Sequence, residues 1–130
     1  MNTKTVTING KQVTLMYSYG TEINFSNMTS GDNAATFIAE AAAQLDAINK
    51  KASVQVPNVE KCIKLVLAAA LAYSTSKDEQ CPIADTDLLF TSDPKELWEA
   101  MAQVILLYGA FYNLLPEDQP KGKKGAKGKN

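Results

Sequence analysis

The sequence predicts an α+β fold that is mainly α, with an N-terminal β-hairpin packed on a small bundle of three to four helices. Three observations carry the prediction. Apolar and polar residues alternate strictly on both sides of an Asn-Gly pair near the start of the chain. Three later stretches place apolar residues at helical spacing, each opening at a recognisable cap. The length of 130 residues suits one domain, since chains of roughly 100–200 residues usually form one, and 45 % apolar residues can fill its core.

The hairpin spans residues 3–17. Asn9-Gly10 is the strongest two-residue turn signal, because both central positions of a type I′ turn need positive φ. A two-residue loop there pairs Ile8 with Lys11, Val6 with Val13 and Lys4 with Leu15. That register puts Val6, Ile8, Val13 and Leu15 on one face and Thr5, Thr7, Gln12 and Thr14 on the other. A lone hairpin is marginal in water, so the apolar face must lie against helices or extend a sheet in a partner.

Alternation is lost after Tyr17. Tyr19, Ile23 and Met28 share one helical face, which predicts a short helix over residues 19–28. Thr29-Ser30-Gly31-Asp32 reads as a loop ending in an N-cap. The Ala-rich helix that follows, residues 32–50, presents Ala35, Ile38, Ala42 and Leu45, with Ile48 or Asn49, and closes at Lys50-Lys51, where cations suit the dipole. Pro57 and Asn58 start a helix over residues 57–76 through Val59, Cys62, Ile63, Val66, Leu67, Ala70 and Tyr73. Leu65 and Leu71 widen its stripe, which marks it as the central helix. Residues 77–91 read as an acidic loop holding a helical turn or two around Leu88-Leu89-Phe90. Asp93, Pro94 and Glu96 then form the pattern of a capping box for a helix over residues 93–115, ended by Pro116. It uses Leu97, Met101, Val104, Ile105, Tyr108, Phe111, Tyr112 and Leu115, with Gly109 as a position for close packing. The folded domain is thus expected over residues 1–116, with residues 117–130 a disordered Lys/Gly-rich tail.

Composition narrows the chemistry. All 13 cationic residues are Lys, and there is no His or Arg. That leaves no imidazole base, no Ser-His or Cys-His pair, and no guanidinium fork for phosphate or guanine. The net charge of −1 hides two parts: residues 121–130 hold five Lys and no acid, so residues 1–120 hold eight Lys against fourteen acids, a body at −6. Cys62 and Cys81 are too few for a disulfide framework or a four-ligand zinc site, and read as free thiols in a reducing compartment. The N-terminus leads straight into the strand pattern, and the apolar runs fall short of the ~20 residues that span a bilayer. A soluble protein of the cytoplasm is expected.

No catalytic or cofactor signature survives inspection, so an enzyme, a cofactor and a metal are not expected. No Gly-Lys pair, at Gly10-Lys11 or in the tail, sits in a phosphate-cradling loop. Asp85-Thr86-Asp87 resembles the start of a calcium loop but lacks the following Gly and the distant Glu. Five tail Lys could neutralise phosphates, yet the acidic body, the lack of interleaved aromatics and the lack of a basic helix face favour a solubilising extension over nucleic-acid binding. Self-association through tail and acidic body is a further option. Aromatics supply the remaining candidates. Tyr17, Tyr19, Trp98, Tyr108, Phe111 and Tyr112 are core residues or a protein-binding strip.

The N-terminal K-x-V-x-I-N-G-K-x-V-x-L-x-Y pattern from Lys4 to Tyr17, followed by Tyr19 to Phe25, Ser30-Gly31 and a helical bundle, resembles the phage tail assembly chaperones. The resemblance covers the folded part in outline and the first ~30 residues in motif. It implies a prophage-encoded, non-enzymatic protein that coats the tape-measure protein while tail-tube subunits assemble, with no catalytic residues to carry over. It also implies a frameshifted long form beginning near the Lys/Gly tail. The alternative is a structural virion subunit, a tail-tube or head–tail joining protein whose hairpins pair between copies.

Overall fold

The computed structural model describes residues 2–51 and 56–114. The chain runs β1 (Thr3–Ile8), β2 (Lys11–Met16), α1 (Tyr19–Met28), α2 (Ala34–Asn49), α3 (Val59–Ser76), α4 (Asp85–Leu89) and α5 (Lys95–Phe111). The fold is α+β and mainly α, with a two-stranded antiparallel hairpin packed onto helices. The expected tail, Leu115 and Pro116 lie outside the described residues.

The hairpin follows its sequence closely. Asn9 and Gly10 have φ of 52° and 79°, the type I′ signs, and the pairing is Ile8 with Lys11, Val6 with Val13 and Lys4 with Leu15. Ile8, Val13 and Leu15 are fully buried, and Val6 packs at the margin of the core. The opposite face is polar and ordered by its own side chains: the Thr5 and Thr14 hydroxyls lie 3.1 Å apart, and Gln12 donates to Thr7 at 3.0 Å.

The turn is bolted to the far end of the chain. Asp87 accepts from the Asn9 side-chain amide at 3.0 Å, from Lys11 Nζ at 3.2 Å and from the Ala84 backbone N–H at 2.9 Å. Glu96 accepts the Asn9 backbone N–H at 2.8 Å and the Thr91 hydroxyl at 2.8 Å. These contacts replace the capping box expected of Glu96. The Asp93 carboxylate instead accepts the Lys95 backbone N–H at 3.0 Å, and Pro94, already helical in φ and ψ, leads into α5.

Two helices bury faces that differ from those expected. In α1 the buried residues are Thr21 and Phe25, while Tyr19 and Ile23 are exposed. The tight passage from β2 decides this. The Thr21 hydroxyl donates to Met16 O at 2.8 Å and accepts Ser18 N–H at 3.1 Å, which turns Thr21 and Phe25 inward. In α2 the cap is Asn33, whose side chain accepts Thr36 N–H at 2.9 Å, not Asp32, which pairs with Lys61 at 3.0 Å. Its buried face is Ala34, Phe37, Ile38 and Ala41, with Phe37 stacked on Phe25 at 5.6 Å; Ile38 is buried as expected, while the expected Ala35, Ala42 and Leu45 are half-buried.

α3 is the central helix, as its wide stripe predicts. It touches β2, α1, α4 and α5, and Cys62, Leu65, Val66, Ala68, Ala69 and Ala70 are fully buried. Asn58 caps it through Lys61 N–H at 3.0 Å, one residue after a buried Pro57, and Val59 is exposed. α5 stops at Phe111, earlier than the expected Pro116. Asn113 takes a left-handed φ of 58°, Leu114 N–H bonds Gly109 O at 2.7 Å, and Asn113 N–H bonds Ala110 O at 3.2 Å. This is a Schellman stop with Asn in the place Gly usually fills. α3 ends likewise at Asp78, with φ of 56°.

Candidate protein-binding surfaces

The six aromatic candidates divide into five and one. Tyr17 leaves β2 and Tyr19 opens α1, while Tyr108 and Phe111 come from the last turn of α5 and Tyr112 from its C-cap. Tyr17 meets Tyr108 at 5.3 Å and Tyr112 at 6.3 Å edge to face, and Phe111 at 5.6 Å in a tilted arrangement. Tyr19 packs on Phe111 at 5.2 Å, and Phe111 on Tyr112 at 4.9 Å. Such geometry matches the positive edge of one ring to the negative face of the next.

Glu22 closes the cluster, and the sequence reading missed it. Its carboxylate accepts the Tyr17 hydroxyl at 2.8 Å and the Tyr112 hydroxyl at 2.6 Å, so one side chain of α1 ties β2 to α5. Burial, then the hydrogen bond to this anion, raises the Tyr17 phenol above its ordinary range. The same hydrogen bond comes first for Tyr112, which is pushed up to about 12. The signal available in the sequence was spacing: Glu22 stands one turn beyond Ser18, on the side of the helix that faces back toward Tyr17. Tyr17 is buried, Tyr108 half-buried, and Phe111 and Tyr112 about a third exposed, whereas Tyr19 presents 66 % of its surface. The cluster is a core at its base and a strip at its rim.

Trp98 is not part of it. It stands near the start of α5 and lines a groove of about 420 Å³ against Leu45 and Asn49 of α2, with Ile105 and Leu106. Distance along α5 separates it from Tyr108, since residues ten apart on a helix are about 15 Å apart along the axis.

A larger feature has no counterpart among the expected sites. An apolar cleft of about 710 Å³ runs between α3 and the segment that returns through α4. Ile63, Leu67 and Leu71 of α3 form its floor, with Met28 at one end and Cys81, Ile83 and Leu89 opposite. Its charges sit among Glu60, Lys64 and Asp85, and Lys64 pairs with Glu60 at 3.0 Å. Leu89 and Phe90 are exposed beside it, Phe90 at 79 %. The stripe of α3 held the clue. It is too broad for its neighbours to cover: Ile63 is buried, and Leu67 and Leu71 are left half-buried along the cleft.

Neither surface carries a reactive constellation among the described residues. Cys62 is sealed in the core, where burial pushes its thiol up to about 12, and Cys81 stands apart in the cleft wall. No group of three or more His, Cys, Asp or Glu side chains is placed to hold a metal ion among the described residues. None of the described helices is long and apolar enough to cross a membrane. Comparison with protein-family models, with curated proteins and with solved structures returns no match for this chain.

Proposed function

We propose that this chain is a non-enzymatic, protein-binding chaperone of phage tail assembly that holds the tape-measure protein in its apolar cleft. The observation that carries the reading is the cleft itself. Its floor is one helical stripe, Ile63, Leu67 and Leu71, and its walls are apolar with charge confined to a few positions. Such a groove suits the apolar face of a second helix, which docks through anchors at i, i+3, i+4 and i+7. A tape-measure protein, long and helical, presents that face along its length. The exposed rim of the aromatic strip, Tyr19 above all, adds an anchor of the residue type that dominates protein interfaces. The acidic body, at −6 over residues 1–120, disfavours nonspecific nucleic-acid binding and leaves proteins as clients.

Co-expression with a phage tape-measure protein, long and helix-rich, tests the reading. The wild-type chain should retain that protein in a pull-down at moderate salt. Leu67→Glu places a charge in the cleft floor at a half-buried position and should weaken retention about tenfold or more, equivalent to ~1.4 kcal/mol, with the circular dichroism of the chain unchanged. Loss of retention by the wild type, or full retention by a folded Leu67→Glu variant, would overturn it.

A further inference from the structure

We propose that β1 is a self-pairing edge, through which two copies of this chain join antiparallel about a two-fold axis at Thr5. The inference is independent of the cleft and its client. It starts from the parity of the hairpin. The two-residue Asn9-Gly10 loop makes Ile8 and Lys11 a hydrogen-bonded pair, and the register repeats this at Val6 with Val13 and Lys4 with Leu15. The backbone N–H and C=O groups of Thr3, Thr5 and Thr7 therefore point away from β2. No other backbone group bonds to them among the described residues. Thr5 and Thr7 are exposed.

The two edges of the hairpin are not equivalent. On β2 the end of the edge is closed, because Met16 is buried and its carbonyl already accepts the Thr21 hydroxyl at 2.8 Å. On β1 nothing comparable occurs. The strand has no Pro and no bulge, and its single charge is Lys4, so it lacks most devices that blunt an edge.

Self-complementarity names the occupant. All the outward-bonding positions of β1 are Thr. A two-fold axis at Thr5 pairs Thr5 with Thr5 of the second copy and Thr3 with Thr7, so each hydrogen-bonded pair is Thr opposite Thr. Such cross-strand pairs are favourable, and the hairpin already uses one, Thr5 beside Thr14 with hydroxyls 3.1 Å apart. The polar outer face would continue across the axis without a break. On the other face Lys4 falls opposite Val6 of the second copy, with no like charges directly opposed. An axis at Lys4 would oppose two ammonium groups, and one at Val6 would pair fewer Thr residues. The resulting four-stranded sheet is isologous, so assembly closes at two copies.

Sedimentation of the full chain at tens of micromolar tests the proposal. The wild type should run as a dimer. Thr5→Pro removes an N–H that the hairpin does not use and that an edge strand can spare, so it should keep the helical content and weaken self-association about tenfold or more. Should Thr5→Pro unfold, Thr5→Cys decides: a hydrogen-bonded antiparallel pair sets Cα atoms about 5.5 Å apart, within disulfide reach. Mild oxidation should then link two copies through position 5, mapped by mass spectrometry, while Thr7→Cys, whose copies are out of register, should not self-link. A monomeric wild type, a ring or filament, a folded Thr5→Pro that dimerises as tightly, or a Thr5→Cys chain that fails to link would each overturn the proposal.

Discussion

Glu22 shows how one side chain can join parts of the chain that the sequence keeps far apart. It accepts hydrogen bonds from Tyr17, five residues earlier, and from Tyr112, ninety residues later. Glu22→Ala would leave the buried Tyr17 hydroxyl without that acceptor, at a cost of about 1–3 kcal/mol, read as a lower denaturant midpoint. The same contact makes a prediction about pH. Both phenols hold their protons more tightly in the folded chain than in the unfolded one, where tyrosine ionises near 10. Their contribution is therefore intact below pH 10 and lost as pH rises toward 12. Ultraviolet titration of tyrosinate should show late-ionising phenols in the wild type, and in Glu22→Ala these should move back toward 10.

At the scale of elements, local signals succeeded where the chain contacts itself nearby. The hairpin is the clearest case: turn chemistry and alternation both act within a few residues, and the register follows from them. Helix existence was equally legible, whereas helix phase was not. α1 turned its Tyr19 and Ile23 outward because a Thr21–Met16 hydrogen bond set the rotation, and no periodicity count contains that bond. Helix ends were set by Asn33, Asp78 and Asn113, residues whose short polar side chains suit caps and left-handed turns. The clamp of the hairpin turn belongs to this scale too. Asp87 is held down to about 2, first by the Ala84 backbone N–H, then by Asn9 and Lys11. Its folded value is depressed from 3.8, so the stability it adds is present above that pH and is lost as the pH falls toward 2. Asp87→Asn should be less stable at neutral pH, and its urea midpoint should fall less steeply over that acid range.

For the whole molecule, α3 is the spine. Its Ala68, Ala69 and Ala70 are fully buried, and small side chains there let neighbouring elements approach closely, as at Asn24, whose amide donates to Ala68 O at 3.2 Å. Filling that space should be costly. Ala69→Leu forces added methylenes into a packed core and should destabilise by about 1–3 kcal/mol, measured by chemical denaturation, even though Leu is almost as good a helix former as Ala. A variant as stable as the wild type would show that the core around α3 can give way. The candidate cleft lies on the same helix, on the stripe its neighbours leave uncovered.

By itself, the sequence determined the hairpin and its register, the order and rough extent of the four longer helices, the central place of α3, and a charge distribution with no His or Arg. These follow from interactions among residues close in the chain, or from simple sums over it. Only the tertiary structure decided which face of α1 and α2 is buried, that Trp98 stands apart from the other aromatics, that Glu22 binds two tyrosines, and that a cleft opens beside α4. Each of those depends on where two distant segments meet. A hydrophobic stripe records how much surface must be covered, but the packing of its neighbours settles which part is left open.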